Sequence, residues 1–491
     1  WGGGAMTAEF SDTSRPITGQ LFPSSTFPNS PFVFSNGHSN ICDSVTGKLL
    51  FMCNGMILYD TLGNIIEKGD SLHPNKFYTH NSLPIVGSTQ GSLILPKGNN
   101  GLYYLFTPTM TDSAYTTNVV WNSLKAPYDL FQYHIVDMNA NNGLGKVIQK
   151  NIPLLTNVEM SKVGMMACRH ANGIDWWLLK QASDTNMVYT FLVTKDTVVL
   201  NNIQGFGGHK FGYYDLAGQS CFSADGNKYA FGMGGVYGNK GKVMIADFDR
   251  CLGLLSNPIY IKAPIDSTTY IYLDTAGKRD SLITGVCFSP NGRFLYVAKN
   301  WNIYQYDLTE ADTNLQWYRV QHGPDTSVIQ YAGFGQLQTG IDGRIYIGKK
   351  GGTGNQNSVI DKPNLKGSAC EFCRRCLRDF SNSGYGSSSP PNMPDFNLGP
   401  LQPCWPLGVS GVLKEFPKLS CYPNPASTSL TIELFTARNE AVPIEMYNMV
   451  GELLLKTLIQ SQTKVQINIS TLPKGLYVIR CEGISQKVVV E

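Results

Sequence analysis

From residue 1 to about residue 412 the chain repeats one loose unit: an apolar strand, a polar turn containing Gly, a second apolar-aromatic strand, and a third strand ending in Asp. Two copies are sharp. They are Cys221-Phe-Ser-Ala-Asp-Gly-Asn-Lys-Tyr-Ala-Phe231 and Cys287-Phe-Ser-Pro-Asn-Gly-Arg-Phe-Leu-Tyr-Val297, followed by Val243-Met-Ile-Ala-Asp247 and Ile303-Tyr-Gln-Tyr-Asp307. The Asp225-Gly226 and Asn291-Gly292 pairs are expected to supply the positive φ of a tight hairpin. Weaker copies lie at residues 39–60, 89–137, 165–194 and 338–361. Alternation with period two over such runs predicts strands, and nothing in them has the period of a helix.

A repeat of roughly 40 to 60 residues that yields only strands predicts a β-propeller, in which each sheet buries its faces against its neighbours. Six units are read directly. A seventh is built if residues 1–21 pair with strands between 368 and 412, so seven blades are favoured and six is the alternative. Residues 1–412 are therefore read as the propeller. Within it, the Ser- and Pro-rich stretch near 367–406 is read as a surface loop held by cysteines, and 413–418 is read as a linker.

Residues 419–491 change character. Pro423 and Pro425 make a rigid turn of Cys421-Tyr-Pro-Asn-Pro425, because each fixes its own φ and extends the residue before it. Alternating runs follow at 429–435, 444–448, 453–458, 465–469, 475–481 and 486–490. They predict a small antiparallel β-sandwich.

Tyr422-Pro-Asn-Pro425, Tyr447-Asn-Met-Val-Gly451, Leu472-Pro-Lys-Gly-Leu-Tyr477 and Gln486-Lys-Val-Val-Val-Glu491 resemble, in order and over the whole tail, the type A C-terminal sorting domain of the Bacteroidetes type IX secretion system. The resemblance implies export across the outer membrane and recognition by the translocon or its outer-membrane shuttle barrel. It also implies a usual fate in which the tail is removed and the cargo is attached to surface lipopolysaccharide. The residues that carry it are Tyr422, Pro423, Asn424, Pro425, Gly451, Gly475, Tyr477 and Lys487. The two sharp propeller copies resemble repeats often written Phe-Ser-Pro-Asp-Gly, and the region resembles the propeller-like part of Bacteroidetes surface proteins. A third resemblance is to the O-glycosylation tripeptide of that group: Asp, then Ser or Thr, then Ala, Ile, Leu, Val, Met or Thr. It marks Ser44, Thr61, Ser113, Thr197, Ser267, Thr275 and Ser281, where average composition gives about one or two copies. Asp and Ser also favour turns by themselves, which accounts for part of the excess.

Composition narrows the rest. The 491 residues include 50 Gly, 25 Tyr and 23 Phe with 15% charged residues, which fits a turn-rich all-β exported protein. A formal charge of +3 is too small to point to nucleic acid or an anionic membrane surface. No apolar run reaches the length of a membrane span. The chain opens at Trp1 without a charged-then-apolar leader, so a signal peptide is expected to have been removed.

Twelve Cys in an exported protein suggest disulfides. Cys370-x2-Cys373-x2-Cys376 with Cys404 has spacing suited either to disulfides that staple the loop or, as the lesser alternative, to a metal held by four thiolates. Cys221 and Cys287 hold equivalent places in two repeats, either paired or as small buried apolar groups. Cys42 with Cys53 and Cys421 with Cys481 are possible pairs. The seven His residues form no ligand pair, and His170 beside Arg169 and before Asp175 lines either a turn or a channel. Trp301, Trp317, Tyr237 and Tyr385 are candidates for stacking on sugars, while Trp176 and Trp177 sit inside a strand pattern. No nucleophile elbow, phosphate loop or zinc-protease motif is present, and no cofactor is expected. The expected function is a secreted or cell-surface binding or structural propeller that takes a surface glycan or protein ligand. The alternative is a propeller-based hydrolase or lyase acting on extracellular polysaccharide.

Overall fold

The turn Ser223-Ala-Asp-Gly226 shows how the repeat folds. The Gly226 N–H bonds to the Ser223 carbonyl at 2.8 Å. The Ser223 hydroxyl accepts the Lys228 N–H at 2.9 Å and donates to Asp225, which itself accepts the Asn227 N–H. Ser289-Pro-Asn-Gly292 repeats these bonds group for group. Only the glycines take the left-handed conformation, with φ of 72° at Gly226 and 71° at Gly292. Asp225 and Asn291 act through their side chains, which corrects the expectation that the pair shares the positive φ. A side chain at Gly226 would also meet Arg250 Cδ and Leu398 Cδ2 at 2.7 Å.

The Asp that ends each third strand also has a partner. Lys228 reaches Asp247 at 2.8 Å, Arg293 reaches Asp307 at 2.8 Å, and Arg344 reaches Asp361 at 3.1 Å. Each pair joins the start of the second strand to the end of the third.

The computed structural model describes residues 2–3, 6–9, 17–20, 34, 37–73, 76, 88–118, 128–183, 185–206, 218–233, 241–264, 283–299, 302–321, 333–349, 356–378, 389–401, 404, 418–435, 441–448, 452–459, 463–481 and 484–491. The chain divides into two units, Trp1–Cys404 and Trp405–Glu491.

The first unit is a β-propeller of antiparallel sheets. Sheet 1 holds Ser39–Cys42, Leu49–Cys53 and Leu58–Tyr59. Sheet 2 holds Leu93–Pro96, Leu102–Thr109, Tyr128–Asp137 and the first part of Lys146–Arg169. That last strand runs on for 24 residues, passing through register shifts to become the innermost strand of sheet 3. Sheet 3 is completed by Trp176–Ala182, Met187–Val193 and Val198–Gly205. Sheets 4, 5 and 6 are four-stranded and begin at Gly218, Ile283 and Phe334.

Alternation decides how the sheets pack. In sheet 3, Trp176 and Leu178 face the core shared with sheet 2, while Trp177 and Leu179 face the core shared with sheet 4. The same division gives one apolar layer between sheets 1 and 2, one between 4 and 5, and one between 5 and 6. Sheets buried on both faces in this way are what the near-continuous apolar strands require.

A three-stranded sheet of Gly2–Gly3, Met6–Glu9 and Ile17–Gln20 meets sheet 1 and brings the sheets of this unit, among the described residues, to seven. Its strands pair with one another. Between 368 and 412 the described strand is Phe372–Arg378, which closes the outer edge of sheet 6. Residues 379–388, 402–403 and 405–412, to which the expected pairing of residues 1–21 also pointed, lie outside the described residues.

Residues 389–394, part of the stretch expected on the surface, lie at the centre of the propeller. Ser389, Pro390, Pro391, Asn392 and Pro394 are buried. The reason is polar: the inner strands converge with main-chain groups that need partners, and this segment supplies them.

The second unit is a β-sandwich. One sheet pairs Lys418–Tyr422, Ser429–Phe435 and Thr463–Asn468. The other orders Leu453–Ile459, Val442–Asn448, Gly475–Cys481 and Ile484–Val490. Its core holds Leu430, Ile432, Ile444, Met446, Ile469, Ile479 and Val488. All six alternating runs are strands. Lys418–Tyr422 adds a seventh, which leads into the turn of prolines.

Candidate functional site

The axis, where many propellers hold a ligand, is filled by Asn392. Its amide nitrogen donates to the Ser92 carbonyl at 2.9 Å and the Met165 carbonyl at 3.1 Å, and its main-chain N–H donates to the His38 carbonyl at 2.9 Å. Its side-chain oxygen accepts from Gln90 Nε2 at 3.1 Å. Gln90 also donates to the Ser220 carbonyl at 2.9 Å and accepts the Ser220 N–H at 2.9 Å. Gln219 carries the network onward, accepting the N–H groups of Val286 at 3.1 Å and Leu337 at 2.9 Å. Ser92 donates to the Gly37 carbonyl at 2.7 Å. One buried network thus joins all six directly read sheets at their innermost strands. A buried amide with both hydrogens and its oxygen engaged is a fully satisfied polar core.

From the axis the segment runs across sheets 3 and 4. The Phe396 ring meets Trp176 edge-on, and the Phe396 carbonyl accepts from Arg169 at 3.2 Å. Arg250, 2% exposed, donates to the carbonyls of Gly399 at 2.6 Å, Asp225 at 3.3 Å and Arg169 at 2.9 Å. The Leu401 N–H bonds to the Ala171 carbonyl at 2.9 Å. The path ends in a disulfide between Cys251 and Cys404, 153 residues apart.

That disulfide removes Cys404 from the four-thiolate set. Cys370 is a buried thiol in the layer between sheets 5 and 6, and Cys373 is a half-buried thiol on Phe372–Arg378. Among the described residues no three or more His, Cys, Asp or Glu side chains are placed to hold a metal ion. Cys221 and Cys287 are buried thiols, as the small-apolar reading had it, and Cys42, Cys53 and Cys421 are thiols rather than paired. Burial pushes Cys53 and Cys168 up to about 12, so neither is a nucleophile at neutral pH.

His170 belongs to a turn. Its main-chain N–H bonds to the Asp175 carbonyl, its ring stacks on Trp177 with centroids 5.0 Å apart, and its Nδ1 accepts the Asn172 N–H. His73 and His134 are buried between sheets 1 and 2, and desolvation lowers them to about 4 and about 3. Lys180 is fully buried in sheet 3, with its ammonium donating to the Val163 carbonyl at 2.8 Å, and desolvation lowers it to about 7. Trp317 packs against Tyr306 at 4.8 Å. Trp301, Tyr237 and Tyr385 lie outside the described residues, as do Ser267, Thr275 and Ser281. Ser44, Thr61, Ser113 and Thr197 are all exposed. An eighth tripeptide of the same kind, Asp70-Ser71-Leu72, also places its hydroxyl residue at the surface.

In the second unit the motif residues converge on the last strand. Asn424 Nδ2 donates to the Lys487 carbonyl at 2.9 Å and Asn424 Oδ1 accepts the Val489 N–H at 2.8 Å, clamping the Pro-Asn-Pro turn to the C-terminal strand. Ala426 and Glu491 extend the clamp through main-chain bonds. Tyr477 is buried, with its hydroxyl donating to the Pro473 carbonyl at 2.7 Å, and Gly475 opens its strand at the surface. Gly451 lies outside the described residues.

A secretion system C-terminal sorting domain family matches residues 420–491. No curated protein matches the sequence. Among solved structures, a protein from Lactobacillus plantarum aligns at 10% identity over 87% of this chain and 96% of its own, with TM-score 0.35. An auxiliary nutrient binding protein from Bacteroides thetaiotaomicron aligns at 10% identity over 65% and 68%, with TM-score 0.35. An exo-β-1,3-galactanase from Phanerochaete chrysosporium aligns at 9% identity over 81% and 93%, with TM-score 0.34. Scores this low carry no argument, and the fold rests on the sheets themselves. Residues 420–491 are a type IX sorting domain, so the chain is a substrate of that export route, bound for secretion or the cell surface. No helix among the described residues is long and apolar enough to cross a membrane.

Proposed function

We propose that the propeller is a surface-displayed binding or structural component, and that its partner, a surface glycan or a protein, meets its outer faces. The filled axis supports this most directly: Gln90, Ser92, Gln219 and Ser220, which would line a central site, are buried, with Gln90 and Ser92 bonded to Asn392, Ser220 to Gln90, and Gln219 to Val286 and Leu337. The sorting domain is the part that the translocon and its outer-membrane shuttle barrel would read. Ser44, Thr61, Ser113 and Thr197 stand at the surface as acceptors for O-linked sugar on the cargo, and Ser71 joins them.

Three measurements test this reading. Cell fractionation of the full chain against a chain lacking 419–491 is expected to place the first outside the outer membrane and leave the second inside it. Incubation of the purified protein with extracellular polysaccharides is expected to give binding without new reducing ends. Release of oligosaccharides would replace this reading with the hydrolase or lyase. Intact mass is expected to show sugar increments on peptides carrying the exposed Asp-Ser/Thr sites, and an unmodified mass would remove the glycoprotein reading.

A further inference from the structure

The segment at the axis is the last part of the propeller chain, yet it touches its first sheets. Asn392 bonds to groups of sheets 1, 2 and 3, Gln338 of sheet 6 donates to the Met393 carbonyl at 3.4 Å, and Arg250 of sheet 4 holds Gly399. A ring of sheets is under-determined until its ends are tied, because each sheet packs only on its neighbours. Here the tie runs through the middle.

We propose that residues 389–401 form a plug that closes the ring, and that oxidation of Cys251 and Cys404 latches it in place. Arg250 and Ala171 seat the segment through Gly399 and Leu401, which brings Cys404 to Cys251 before any bond forms. The two thiols then pass two electrons and two protons to an external disulfide, which leaves as two thiols. The latch falls at Cys404, the last residue of the unit, so the chain leaving toward the sorting domain is anchored where the propeller ends. Without the latch, Asn392 can leave the axis, and the carbonyls of His38, Ser92 and Met165 then lose their partner to water.

The test is amide hydrogen exchange on the full chain, oxidised and after complete reduction with a phosphine, with Cys251→Ser/Cys404→Ser as a second sample. Reduction is expected to speed exchange at least tenfold in peptides covering 389–401 and in those carrying Gln90 and Gln219. The strand Phe294–Lys299 and residues 418–491 should keep their protection. Unchanged exchange in 389–401 on complete reduction would overturn the latch. Uniform loss of protection across the propeller would also overturn it, by showing a general staple instead. If the double variant does not fold, the reduced wild-type protein decides the matter alone.

Discussion

Three buried basic side chains set the pH response of this protein. Lys180, fully buried with its ammonium on the Val163 carbonyl, titrates near 7 in the folded chain and near 10.4 in the unfolded one. Between those values the unfolded chain binds the proton that the folded chain refuses, so stability falls as pH drops from about 10 to about 7. Lys180→Met is expected to be more stable than wild type at pH 7, by roughly 1 to 3 kcal/mol once the lost hydrogen bond is counted. The gap should close above about pH 10, as read from urea midpoints. His73 and His134 act lower on the scale. With folded values near 4 and 3 against about 6.5 unfolded, they withdraw stability as pH falls from about 6.5 to about 3. Asp307 adds to the same acid limb, because its bonds to Arg293 hold its carboxyl far below the usual range. Its contribution is present above about pH 4 and is lost on acidification. Denaturation midpoints measured from pH 8 to pH 4 should fall steadily, and substituting His73 and His134 by apolar residues of similar size should flatten the curve.

At the level of the element, the pairs between the start of each second strand and the end of each third are chemically alike and energetically different. The Asp307 side chain is 2% exposed and bonded to Arg293 twice and to Thr309, whereas that of Asp247 is 44% exposed. Asp307→Asn is expected to cost about 1 to 3 kcal/mol because it removes the charge and sets an amide N–H donor against Arg293 Nη2 and Lys366 Nζ, where the second carboxylate oxygen now accepts. Asp247→Asn should cost less than about 1 kcal/mol in the solvent-screened pair. Urea unfolding of the two variants side by side checks the ranking.

The repeat was legible because apolar alternation, the Ser-x-Asp/Asn-Gly turn and the closing Asp all sit within some twenty-five residues of one another. Two elements were not legible. Lys146–Arg169 passes from sheet 2 to sheet 3 through Asn157 and Gly164, with φ of 58° and 76°, where the register shifts without the chain reversing, so its division is made only by the sheets it joins. Residues 389–401 read as loop from their Ser and Pro content, and nothing local shows that four carbonyl and amide partners await Asn392.

Across the whole molecule, the two units have separate cores, and each core contains residues of its own unit alone. Removing residues 419–491 is therefore expected to leave the melting temperature of the propeller within about 2 °C of its value in the full chain. A larger drop in calorimetry would show that the sorting domain also supports the propeller. The cysteines divide by the same logic. Most of those described are buried thiols that behave as small apolar side chains, while Cys251 and Cys404 meet because a segment threaded through the axis returns to the turn after sheet 4's third strand.

The sequence alone determined the all-β class, the repeated sheet, the sandwich at the end and the export route, because each is written in residues close together along the chain: period-two alternation, turn residues at fixed offsets, and an ordered set of tail motifs. The tertiary structure alone decided that the axis is filled, which cysteines join, and that the N-terminal strands form their own sheet. Those outcomes depend on main-chain groups and side chains brought together from positions as far apart as Gln90 and Asn392, and an unpaired carbonyl at the centre of a ring of sheets leaves no mark on the local sequence.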